Sequence, residues 1–252
     1  MKKIFAIALL LGSLPVAFHL IANADDTNGL EKPKIISYAP SAVYAPTGFD
    51  SNDNTEIVFE GIFPNACYRV GLTYFNVDEV NKKVFVTDTA HFFENTMCAE
   101  MIVPYTKDIK MGVLEPGNYT VYFKNSRGMF NEEASLPVKV AQNPTPDDNM
   151  YAPVENSQYF PPKNGNPAML NLIGAFTNTC MQIDRVDVVQ KNDSNVIEIL
   201  PYAKIEGDNC TEANPGIPFE YQVPMENLTA GRYLLHIRSL NGRSVNEIAD
   251  IK

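Results

Sequence analysis

Ile57-Val58-Phe59-Glu60-Gly61-Ile62-Phe63-Pro64-Asn65-Ala66-Cys67 and Leu170-Asn171-Leu172-Ile173-Gly174-Ala175-Phe176-Thr177-Asn178-Thr179-Cys180 share one pattern, GxFxNxC after a run of alternating apolar residues. In the first copy Ile57, Phe59, Gly61 and Phe63 alternate with Val58, Glu60 and Ile62, the period of a half-buried strand. Ile57 and Phe59 correspond to Leu170 and Leu172 at the same offset.

The offset, about 113 residues, accounts for most of the chain. Tyr38-Ala39-Pro40 returns as Tyr151-Ala152-Pro153, and Leu114-Glu115-Pro116-Gly117-Asn118-Tyr119 as Leu228-Thr229-Ala230-Gly231-Arg232-Tyr233. Ordered matches at several separated places indicate two homologous domains. They are expected at 25–142 and 151–252, joined by residues 143–150, a polar segment whose prolines make a short, semi-rigid linker. The two halves carry the same net charge, so neither is an evident docking arm.

Within each copy the period stays at two. Tyr119, Val121 and Phe123 alternate with Thr120, Tyr122 and Lys124; Tyr233, Leu235 and Ile237 alternate with Leu234, His236 and Arg238. Turn clusters at Asp50–Asn54, Asp78–Lys82, Asn125–Gly128, Lys191–Asn195 and Asn241–Arg243 interrupt these runs. No stretch sustains a 3.6-residue period between caps. Short strands with hairpin turns predict an all-β chain of antiparallel sandwiches.

The Leu-x-x-Gly-x-Tyr element resembles the tyrosine corner of immunoglobulin-like and fibronectin type III sandwiches, in which a Tyr hydroxyl bonds back to nearby backbone. The resemblance implies that role for Tyr119 and Tyr233. The chain departs from the antibody type in having no Trp and in placing Cys67 and Cys180 at a strand end. The expected fold is therefore two tandem immunoglobulin-like antiparallel β-sandwiches related by the internal repeat.

Four Cys permit three pairings. Each copy holds one Cys after GxFxN and another about thirty residues later, so the repeat selects Cys67–Cys98 and Cys180–Cys210. These bridges would staple the loops Ala90–Met97 and Glu206–Asn209 to the sandwich edge and place the protein in an oxidising compartment.

Met1–Ala24 reads as a secretory leader: Lys2 and Lys3, a short apolar run, then Ala22-Asn23-Ala24 at the cleavage site. With 252 residues, 45% hydrophobic and a formal charge of -10, the chain is neither disordered nor suited to nucleic acid or an anionic membrane. A secreted or periplasmic protein, not membrane-inserted after cleavage and monomeric, is expected.

Chemistry is sparse. His91 precedes Phe92 and Phe93 in a loop; His236 falls in the outward phase of a strand and is expected at a solvated surface. No hydrolase, P-loop or dinucleotide motif occurs, and no catalytic residue, metal or cofactor is expected. Asp50–Glu56 and Asp147–Asn149 are acidic loops whose oxygens suit solvated turns, with calcium as the functional alternative. The Phe/Met-rich loop carrying Phe92, Phe93, Met97 and Met101 is the expected contact surface for a protein or glycan. The leading functional expectation is an exported, non-catalytic binding or structural protein of the envelope or surface. A carboxylate hydrolase and a pilus-type periplasmic chaperone are the alternatives.

Overall fold

The computed structural model describes residues 32–145, 147–192 and 194–252; the expected leader, Met1–Ala24, lies outside them. Among the described residues every regular element is a strand. The first half contains β1 (Lys34–Ser37), β2 (Ala42–Tyr44), β3 (Thr55–Phe63), β4 (Tyr68–Asp78), β5 (Lys83–Phe92), β6 (Val103–Gly112), β7 (Gly117–Lys124) and β8 (Phe130–Val138). The second contains β9 (Val154–Phe160), β10 (Met169–Asn178), β11 (Met181–Gln190), β12 (Val196–Ile205), β13 (Glu212–Pro224), β14 (Gly231–Ser239) and β15 (Arg243–Ile251).

In the first half β2-β3-β6 form one sheet and β4-β5-β7-β8 the other, with β1 sharing the β7 edge of β5. The second half has sheets β9-β10-β13 and β11-β12-β14-β15. The residues of alternating period turn inward as expected. Ile57, Phe59, Val86, Val121 and Phe123 fill the first core, and Leu170, Leu172, Ile199, Leu235 and Ile237 the second. Burying each such side chain contributes about 1.5–3 kcal/mol. The Asn241-Gly242 turn joins β14 to β15 with φ of 63° at both residues, the primed geometry that matches strand twist.

Two expectations need correction here. The sheets are not wholly antiparallel: β5 runs parallel to β7 (Lys83 beside Thr120, Val86 beside Phe123), and β12 runs parallel to β14 (Val196 beside Leu234, Ile199 beside Ile237). The chain leaves β5 for the opposite sheet as β6 before returning as β7, and such a crossover restores the original direction. Further, β5 continues to Phe92, so Ala90–Phe92 are strand rather than loop.

Pro33–Lys252 form one compact unit, because the outer face of β2 and β3 lies against the outer face of β12, β14 and β15. β3 is therefore buried on both sides, and Glu56, Val58 and Glu60, the outward set, are as covered as the core set. Tyr44 and Val58 meet Val196 and Leu234 at the centre. Around them Glu60 takes a two-pronged ion pair from Arg232 (2.9 and 2.7 Å) and the Tyr44 hydroxyl (2.6 Å). Glu56 Oε1 accepts from Ser244 Oγ (2.6 Å) and Asn246 Nδ2 (2.8 Å).

His236 belongs to this contact, which corrects its expected surface position: it points out of its own sandwich and is fully buried by the other. Its Nδ1 lies 2.9 Å from Asn246 Oδ1 and 3.4 Å from Glu56, and its ring stands edge-on to Phe49. Burial pushes its pKa below the usual histidine value, outweighing the Glu56 charge. Residues of the expected 143–150 linker are hydrogen-bonded to both halves. Asn143 O accepts from Asn52 Nδ2 (2.6 Å), and Asp147 accepts from Gly242 N–H (2.8 Å).

Candidate binding surface

The repeated Asn of GxFxNxC shapes the approach to each bridge. Asn65 Oδ1 accepts the Cys67 N–H (3.0 Å) and Asn178 Oδ1 the Cys180 N–H (2.9 Å), closing an Asx turn that delivers each Cys to the start of β4 or β11. Cys67–Cys98 and Cys180–Cys210 are the two disulfides. In the first sandwich the bridge holds the segment between β5 and β6.

The four residues expected to make contact divide into two kinds. Phe92 is half-buried with its ring 4.7 Å from Tyr68, and half-buried Phe93 donates its N–H to Cys67 O. These two secure the loop. Met97 is fully exposed at its tip and Met101 is exposed beside Ile102. The apolar surface continues onto β4, which the sequence reading missed: Val70, Leu72, Tyr74 and Phe75 are 48%, 65%, 58% and 43% exposed. The sheet order ends at β4, so among the described residues its second edge pairs with no strand.

A buried ionic cluster stiffens this edge from behind. Lys107 of β6 pairs with the fully buried Asp88 of β5 and donates to Gly71 O (2.9 Å) and Thr73 Oγ1 (3.0 Å), where β4 bulges. Tyr105 donates its hydroxyl to Asp88 Oδ2 (2.9 Å); burial, then the Asp88 charge, pushes the phenol pKa up. The three protons of the ammonium are all engaged, so the bulged backbone is held in place.

The corresponding edge strand of the second sandwich is built differently. Thr73 pairs with Asp88 as Val186 does with Pro201, which sets Leu72 against Arg185 and Tyr74 against Asp187. Arg185 lies 3.5 Å from Asp187 with its guanidinium 3.9 Å above the Tyr202 ring, and Lys204 bridges Asp184 and Glu206. Charge on an edge is the usual guard against strand addition; β11 has it, and β4 lacks it from Val70 to Val77. Aligning the two halves at an offset of 113 residues is the sequence signal that reveals this.

Ser244, His236 and Glu56 lie together, but the serine hydroxyl bonds the carboxylate rather than the imidazole, unlike a nucleophile and its base. His91 stands beside Ile35 and Arg69 in the other sandwich. The acidic loops Asp50–Glu56 and Asp147–Asn149 do converge, around the Arg238 guanidinium, which lies 2.9 Å from Asp53 and 3.6 Å from Asp147. Among the described residues no group of three His, Cys, Asp or Glu is placed to hold a metal, and no helix is long and apolar enough to cross a membrane. Tyr119 donates its hydroxyl to Glu115 O (2.9 Å). Tyr233 makes no such bond among the described residues; the matching carbonyl, Thr229 O, accepts from Gln190 Nε2.

Residues 57–137, from β3 through most of β8, match the family model of the ORF11 beta-sandwich domain. No curated protein and no solved structure matches the chain.

Proposed function

We propose that the chain is an exported, non-catalytic binding protein of the cell envelope or surface that holds a protein partner along β4 and the Met97 loop. The two halves are read as copies of one sandwich, akin to the immunoglobulin-like class in the Tyr119 corner and departing from it in the parallel β5–β7 pair. Two disulfides suit an oxidising compartment outside the cytoplasm. The observation that carries the reading is the contrast between the two edge strands. The matching stretch carries Arg185 and Asp187 on β11 but is uncharged, largely apolar and open from Val70 to Val77 on β4. An extended partner segment adding to β4 gains main-chain hydrogen bonds from the free edge, and Leu72, Tyr74 and Met97 supply side-chain contacts.

The test is photo-crosslinking in the producing cells, with the reactive residue placed at Leu72, Tyr74 or Met97 and, as control, at Arg185. Adducts to one foreign protein from the first three positions and none from Arg185 are expected. Equal labelling from all four positions, or adducts to glycan alone, would overturn the reading.

A further inference from the structure

We propose that Lys107 and Asp88 join covalently in the folded protein, the lysine Nζ condensing with the aspartate carboxyl to an amide that ties β6 to β5 across the first sandwich.

Tyr105, Lys107 and Ile109 are successive inward positions of β6, and Val84, Val86, Asp88 and Ala90 of β5, so a lysine and an aspartate interrupt two apolar rows of the core. Their side chains are 14% and 1% exposed, and Nζ lies 5.9 Å from the centre of the Phe59 ring and 5.8 Å from that of Tyr105. Packing does not require them. In the second half the registers set Tyr221 where Lys107 stands, Pro201 for Asp88, Phe219 for Tyr105 and Val186 for Thr73. That core closes with neither amine nor carboxyl at these positions. A buried ion pair adds little to stability compared with well-packed apolar residues, so the pair needs another reason.

The atoms around the pair account for every proton of the condensation. Nζ donates one proton to Gly71 O (2.9 Å), one to Thr73 Oγ1 (3.0 Å) and one to Asp88 Oδ1. Thr73 Oγ1 donates in turn to the same Oδ1 (2.7 Å), while the Tyr105 hydroxyl donates to Oδ2 (2.9 Å). The proton directed at Oδ1 passes to it, leaving a neutral amine against a neutral acid. Away from water this exchange also removes two desolvated charges. The freed lone pair is directed at the carboxyl group, and the Nζ–Cγ bond forms as negative charge gathers on Oδ2, where the Tyr105 hydroxyl meets it. Burial pushes the pKa of that phenol up, so it stays a donor. Thr73 takes the second proton from Nζ and hands its own to Oδ1. The Cγ–Oδ1 bond then breaks and Oδ1 leaves as water. The third proton remains as the amide N–H, already pointed at Gly71 O. The fold supplies the activation by holding the two groups in contact. The product links the two sheets directly behind the Gly71–Thr73 bulge of β4.

The test is mass spectrometry of the purified protein, with its disulfides reduced and its amino terminus determined. The chain should be one water lighter than its sequence requires. Trypsin should spare Lys107, and the digest should hold a branched peptide joining the β5 and β6 segments through that residue. Lys107→Arg and Asp88→Ala, folding checked by circular dichroism, should have the full mass of their sequences. Thr73→Val and Tyr105→Phe keep both reacting groups, so a plain ion pair would be indifferent to them. Followed by mass after pulse labelling, each should close about a hundredfold more slowly than wild type. Wild type of full mass, with Lys107 open to trypsin, overturns the proposal without any variant having to fold. So does a loss of water that maps to other residues or persists in Lys107→Arg. Thr73→Val and Tyr105→Phe closing at the rate of wild type would overturn the roles given to the two hydroxyls.

Discussion

Arg238 Nη2 lies 2.9 Å from both carboxylate oxygens of Asp53, one residue from each sandwich, with both side chains buried. The guanidinium also stands over the Phe49 and Tyr151 rings. Burial pushes the Asp53 carboxyl up by more than the Arg238 charge pulls it down, so the pair sits in a strongly desolvated place. Removing Arg238 leaves Asp53, and Asp147 3.6 Å away, without their shared cation. Arg238→Ala is expected to cost about 3–5 kcal/mol in urea unfolding, and Arg238→Met with Asp53→Leu far less. Equal costs for the two variants would contradict this.

The His236 imidazole is neutral in the folded chain because burial lowers its pKa. On unfolding it regains its ordinary value of 6.5, so below that pH the unfolded state takes up a proton that the folded state refuses. Stability should therefore fall as pH drops below 6.5 until the lower folded value is passed. Glu60, held below the usual carboxylate range by the Arg232 hydrogen bonds, adds a further loss below pH 4.5. Melting temperature followed from pH 8 to 4 checks this, and His236→Gln should flatten the upper part of the curve only.

The repeated glycines are packing positions. A β-carbon on Gly61 would collide with the Tyr105 ring, and one on Gly174 with Pro153 O and the Phe219 ring. Each aromatic sits directly across the strand pair from its glycine. Gly61→Ala and Gly174→Ala should each destabilise by about 1–3 kcal/mol, the cost of overpacking a close-packed interior. Thermal unfolding of the single variants decides it. Gly61→Ala combined with Tyr105→Ala should recover little, because Asp88 then loses the Tyr105 hydroxyl.

Guarded and open edges should be interchangeable. Leu72→Lys leaves the core untouched, so its stability should stay within about 0.5 kcal/mol of wild type while crosslinking to a partner is lost. Conversely, Arg185→Leu with Asp187→Tyr should turn β11 into a second open edge and raise light scattering of the purified protein at moderate concentration. Unchanged scattering would mean that charge is not what protects β11.

Each bridge should contribute about 3–4 kcal/mol by shortening the unfolded chain's reach. Cys67→Ala with Cys98→Ala should remove that amount and also release the Met97 loop, which limited proteolysis between β5 and β6 would detect. Cys180→Ala with Cys210→Ala should show the stability loss without the new cleavage in that loop.

The strand rhythm, the two disulfide pairs and the inward sets of β3, β7, β10 and β14 were legible from the residues, because each depends on near neighbours or on the spacing of matching motifs. A period of two states which side chains share a face; it does not state what the other face meets. His236 and Arg238 look like ordinary outward residues, and Glu56 and Glu60 like solvated acids, until a second sandwich is laid over them. The parallel β5–β7 pair was equally hidden, since alternation is the same whichever way a neighbour runs. Of the proposed binding surface, the Met97 loop could be seen in the sequence, while β4 appears as an open edge only once the sheet order is known.

The sequence alone determined an all-β chain and its bridges, because periodicity and residue spacing act locally. Tertiary structure alone decided that the halves form one body, that their ionisable residues are desolvated between them, and that among the described residues the uncharged stretch of β4 is left on an unpaired edge. Those outcomes depend on which surfaces find each other, a long-range competition between burial and desolvation that the order of residues along the chain does not display.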